Sequence, residues 1–170
     1  LPKVAAWTED ALAIASLPTY ERLGLWLHPE DLAVEQGELA GLKFTAIHAA
    51  WPTNITARAG WSEKVSAWTQ AALRDGATRA GNHFKVEVVA DDTSDLVETL
   101  IAWAQKNQLQ AIVAYRPFVG PWLAEALAIE AALSAAGIPL IWRRRNWDAE
   151  HFPHATRGYF PFWERIKSVG

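Results

Sequence analysis

The chain has 170 residues, 51% of them apolar and 21% charged, enough for one domain with a full core. It carries ten Trp and neither Met nor Cys, which excludes a disulfide, a thiolate nucleophile and a thiolate-ligated zinc. A net charge of −3 supplies no global field for nucleic acid, so any such contact would have to be local.

Residues 8 to 17, TEDALAIASL, open on Thr8 as an N-cap with two acids behind it, and they stop before Pro18, which predicts a short helix. LGLWLH from Leu23 is a continuous apolar run of the kind made by a strand covered on both faces, and Pro29 ends it. KFTAIHAAW at 43 to 51 repeats that signal and is ended by Pro52. A helix is predicted from Ser62, its cap, with Glu63 in the first turn, although Gly76 and Gly81 weaken its second half.

FKVEVVA at 84 to 90 predicts a third strand, and DDT after it marks a turn. Leu96, Val97, Leu100, Ile101 and Ala104 then share one helical face. LQAIVAY supplies the fourth strand. Trp122, Ala126, Ile129, Leu133 and Ala136 continue at helical spacing until Gly137, and IPLIW at 138 to 142 is the fifth strand. Strands that alternate with helices need crossover connections and therefore run parallel. The expected fold is α/β, a Rossmann-like doubly wound five-stranded parallel sheet of order 3-2-1-4-5 with helices on both faces. Residues 1 to 21 read as an extension with a short helix, ahead of a domain over 22 to 170, because such a domain starts at its first strand. A chain that begins at Leu1 rather than Met is expected to be a piece of something longer.

No apolar run reaches the roughly eighteen residues of a membrane span, and the N-terminus lacks the regions of a secretory signal. The expectation is a cytoplasmic protein with no membrane contact. Neither G-x-x-x-x-G-K-[ST] nor G-x-G-x-x-G after the first strand is present, so ATP hydrolysis and standard dinucleotide binding lack their backbone cradle. The absence of G-x-S-x-G argues against an α/β-hydrolase. His151 and His154, the one close histidine pair, sit in a Pro-containing loop and read as surface or capping residues, so no metal is expected.

In a sheet of this order the crevice opens at the C-terminal ends of strands one and four. Those ends carry HPED at 28 to 31 and YRPFVGP at 115 to 121. The candidate binding residues are therefore His28, Asp31, Arg116, Phe118, Val119, Gly120 and Trp122, with Trp51 from strand two. Aromatic rings beside one Arg suit a flat conjugated ligand with an acidic or carbonyl edge. Phe118 and Trp122 read equally well as helix-to-sheet packing. RRRNWD at 143 to 148 is a dense basic run, read as a solvated cluster rather than a phosphate contact, and residues 152 to 166 as an amphipathic segment lying against something.

The element order and three stretches resemble the N-terminal α/β antenna-chromophore domain of the DNA photolyase and cryptochrome family over about residues 22 to 166. LGLWLHPEDLAVEQGELAGLKFTAIHAAWP is similar to that family's first two strands. IVAYRPFVGPWLAEALAIEAAL is similar to its fourth strand, aromatic junction and following helix with spaced acids, here Glu125 and Glu130. GYFPFWERI is similar to the segment leading out of the domain. The resemblance implies a domain that binds a light-harvesting deazaflavin, flavin or pterin and passes excitation to FAD held by a helical partner domain or subunit. It would be non-catalytic alone and meet DNA only indirectly, within a system that repairs DNA or senses blue light. Where folate-binding relatives place a glutamate early in the helix after strand four, this chain has Trp122, which disfavours a folate antenna. Two alternatives stand beside this one. One is a small nucleotide-binding domain of the universal-stress or electron-transfer-flavoprotein type, which would need more glycine than RPFVGP offers. The other is a ligand-free assembly scaffold, which filling of the crevice by Phe118 and Trp122 would support.

Overall fold

Leu23–Leu27 forms strand β1, and all five of its residues are buried, as an uninterrupted apolar run requires of a strand covered on both faces. A computed structural model of the protein describes residues 19–52, 60–117, 121–155 and 158–167. The helix expected over 8 to 17, and Phe118, Val119 and Gly120 of the expected site, lie outside the described residues. Strand β2, Ala46–Pro52, is likewise buried throughout. It starts later than the pattern predicts, because Thr45 is still joining the sheet through its N–H to the Leu23 carbonyl at 2.7 Å.

Helix α1, Glu63–Phe84, is capped by Ser62, whose side chain accepts from the Val65 N–H. It runs unbroken through Gly76 and Gly81, against the expectation of a weak second half. A Cβ at Gly76 would stand 3.0 Å from the Leu32 carbonyl, and one at Gly81 3.0 Å from Val88 Cγ2. The two glycines let the helix lie close on the loop after β1 and on the next strand, which offsets their poor propensity. That strand, β3, is Val88–Thr93 and includes the DDT expected to form a turn. Asp91, Asp92 and Thr93 pair with Ala50, Trp51 and Pro52 of β2. As an edge strand, β3 can carry polar residues outward, and pairing with β2 decides its length.

Asp95 caps helix α2, Leu96–Lys106, by accepting the Glu98 N–H at 3.0 Å. Its buried face is Leu96, Leu100, Trp103 and Ala104. Arg22, just before β1, donates to the Asn107 and Gln108 carbonyls at 3.0 and 3.1 Å, a cation on the free carbonyls of a helix C-terminus. Strand β4 is Ala111–Tyr115, helix α3 is Pro121–Ala135, and strand β5 is Leu140–Arg143. Trp122, Ala126, Ile129 and Leu133 are buried as predicted, whereas Ala136 falls beyond the helix, just before Gly137 at φ +76°.

All four pairings are parallel and the order is β3-β2-β1-β4-β5, the expected topology. Right-handed crossovers that first move outward from β1 to β3 and then return to β4 and β5 set α1 on one face and α2 with α3 on the other. The second layer is tight. A Cβ on Gly24 in β1 would meet Leu109 Cδ1 at 2.4 Å and Trp103 Cη2 at 2.6 Å, so only glycine lets this layer sit on the central strand.

Pro18–Arg143 forms one compact unit, and Arg144–Gly170 belongs to another. In the latter, Asn146–His151 is α4, Phe152–His154 is a 3-10 turn and Tyr159–Ile166 is α5. The expected solvated basic run is not uniform: Arg144 is nearly buried, and Arg145 is the N-cap of α4. On α5, Tyr159, Phe160 and Trp163 are exposed, with the Tyr159 and Trp163 rings stacked at 6.4 Å. Among the described residues no helix is long and apolar enough to cross a membrane.

Candidate functional site

Strand periodicity puts Trp26 and, just past the end of β1, His28 on one face of the sheet, the face on which Trp142 of β5 and Trp122 of α3 meet them. The result is a run of rings at near-constant spacing. Trp142 of β5 lies 5.9 Å from Trp26, Trp26 5.4 Å from His28, and His28 5.8 Å from Trp122 at the start of α3. Trp122 lies 5.5 Å from Trp51 at the end of β2, and Trp51 5.6 Å from Trp61. All are buried except Trp61, which is 39% exposed. The indole nitrogens of Trp26 and Trp122 have no hydrogen-bond partner among the described residues, while Trp142 Nε1–H donates to Glu130 Oε2 at 2.8 Å.

His28 is held as a neutral imidazole. Its Nδ1 accepts the Glu30 N–H at 3.3 Å, so Nε2 carries the proton and donates to the Tyr115 carbonyl at 2.6 Å. Burial pushes its pKa down, against the pull of the Tyr115 carbonyl and Asp31. A second histidine, His48 of β2, sits against Trp103 at 5.3 Å, with Nε2 3.1 Å from Asp91 Oδ2 and Nδ1 without a partner among the described residues. Its pKa is also lowered by burial, with Asp91 opposing. Tyr115 donates to Glu38 at 3.1 Å, and burial followed by the Glu38 charge raises its hydroxyl well above the ordinary phenol value.

Of the residues expected to form a site, His28, Trp51 and Trp122 are brought together ring to ring. Asp31 closes the turn after β1, its N–H donating to the His28 carbonyl at 3.1 Å. Arg116 is half-buried at the end of β4, its N–H donating to the Arg143 carbonyl at 2.8 Å. Trp26, Trp61, Trp142 and Glu130 were not among the expected site residues. The two-residue period of a strand was a usable signal for Trp26, which lies two before His28. A neighbouring cavity of about 180 Å³ is lined by Pro52, Ser94, Leu96, Glu125 and Ile129, among others. It is smaller than the roughly 300–1,000 Å³ of sites for whole drug-sized ligands. Among the described residues no cluster of three or more potential ligands could hold a metal. The arrangement's capacity is that of closely spaced rings, to stack and to exchange electrons or excitation.

No known family profile matches the chain, and no curated protein matches it. A solved structure does: a bacterial class III photolyase from Agrobacterium tumefaciens, with a TM-score of 0.54 and 18% identity, covering 91% of this chain. The chain spans about a third of the length of that protein, 33%. At this identity the likeness is one of fold.

Proposed function

We propose that this chain is a photolyase-like α/β domain serving a light-dependent flavoprotein as the seat of an antenna chromophore, with FAD on a helical domain or subunit elsewhere. The observation that carries this reading is the fold likeness to a photolyase over 91% of the chain, in a sheet of the expected order. In this reading the ring run of His28, Trp51 and Trp122 is the wall of the chromophore site. The half-buried Asp31 and Arg116 are its polar edge. The exposed Tyr159, Phe160 and Trp163 of α5 would meet the helical partner, since contiguous exposed aromatics mark interaction surfaces. DNA repair or light sensing would be a property of the assembled protein, with DNA met only indirectly.

One observation favours a second reading, the assembly scaffold: Trp122 is 2% exposed and packed between His28 and Trp51, so protein rings occupy this part of the crevice. The test is the absorption of the native protein in the near-UV and blue, followed by denaturation to release whatever absorbs. A released deazaflavin, flavin or pterin is the expected result. A colourless protein that still binds a helical FAD-containing partner would favour the scaffold, and a colourless protein without such a partner would overturn both readings.

A further inference from the structure

Within the ring run, Trp142 differs from Trp26 and Trp122. Trp142 is the ring whose Nε1–H donates to a carboxylate, that of Glu130 at 2.8 Å, whereas Trp26 and Trp122 have no partner for theirs. Indole is among the most easily oxidised side chains, and its radical cation is a far stronger N–H acid than the neutral ring. A buried ring with no acceptor keeps its proton and hands the charge on. A ring beside a carboxylate is both easier to oxidise, through the adjacent negative charge, and able to shed its proton.

We propose that this unit carries one-electron oxidation inward, from the half-exposed Trp61 to the buried Trp142, where Glu130 takes the proton. A diffusible one-electron oxidant removes an electron from Trp61. Electrons then move outward from Trp142 to Trp26, across His28 to Trp122, on to Trp51 and to Trp61, restoring each ring in turn and leaving the charge on Trp142. The Nε1–H bond breaks, its proton passes to Glu130 Oε2, and a neutral indolyl radical remains, the oxidant having gained one electron. His28 stays neutral and serves as the bridge, 5.4 Å from one ring and 5.8 Å from the next. The unit thus holds a one-electron donor shielded from water yet reachable from the surface, and this activity does not depend on a bound chromophore.

Trp103 supplies an internal control. It is as buried as Trp142, each 6% exposed, but its ring contact is with His48, off the run. Brief exposure of the whole chain to carbonate radical, followed by site-resolved mass spectrometry of oxidised tryptophan, should find Trp142 modified several-fold more than Trp103. Equal, exposure-ranked modification of the two, with Trp68 at 71% exposure far ahead of both, would overturn the proposal. Glu130→Gln keeps a hydrogen-bond acceptor but loses the basic carboxylate, and should bring Trp142 down toward Trp103; undiminished modification would overturn the role of Glu130. Trp51→Phe should leave oxidation at Trp61 and spare Trp142, and continued preference for Trp142 would overturn the route.

Discussion

His28 and His48 show what burial does to a side chain that titrates near neutrality. Both imidazoles are held below the ordinary value of 6.5 by desolvation. The unfolded chain takes up protons near that pH which the folded chain refuses. Their contribution to stability is therefore complete above about pH 6.5 and lost as pH falls toward the folded values. The urea midpoint is expected to fall between about pH 7.5 and 5.5, with a slope of at most roughly 1.4 kcal/mol per pH unit for each imidazole. His28→Gln should flatten part of that slope. An equally steep profile in the variant would mean that His28 does not contribute. His28 could be read from sequence as a strand-end residue, but its tautomer could not, because the Tyr115 carbonyl that sets it lies 87 positions away.

At the scale of elements, Arg79 fastens the loop after β1 to α1, alongside His83, whose Nε2 lies 2.9 Å from the Ala40 carbonyl. Arg79 donates to Glu35, to Asp75 at 2.9 Å and to the Leu32 carbonyl at 2.8 Å, beside the close approach of Gly76 to Leu32. The Glu35 side chain is 11% exposed and Asp75 70%, so the two ion pairs are unequal. Arg79→Ala is expected to lower stability by about 1–3 kcal/mol, toward the lower end because Arg79 is itself partly exposed, by stranding a largely buried carboxylate. Asp75→Ala should change stability by no more than about 0.5 kcal/mol, as for other i,i+4 surface pairs. Denaturant midpoints of the two variants test the contrast, and equal losses would contradict it. The cap at Ser62 and the buried face of α3 were legible locally. The span of β3 was not, since DDT has the composition of a turn and becomes strand only because β2 offers it partners.

For the unit Pro18–Arg143, protection should follow position in the sheet. The amides of β1, β2 and β4, buried throughout, are expected to exchange with deuterium most slowly, and those of the exposed edge strand β3 fastest among the strands. β3 protected as strongly as β1 would indicate a covered edge. The sequence by itself determined the alternation of five strands and their helices, and with it the parallel sheet and its order, because apolar period, caps and breakers act between near neighbours in the chain. It also marked His28, Trp51 and Trp122 as strand-end and junction residues. Only the tertiary structure decided that the nine described tryptophans sort into a largely buried run, an equally buried Trp103 off it, and exposed rings such as Trp68. Which rings meet depends on strand register, on the hand of the crossovers and on glycines such as Gly24 that set the spacing of layers, and these are fixed by residues far apart in the chain.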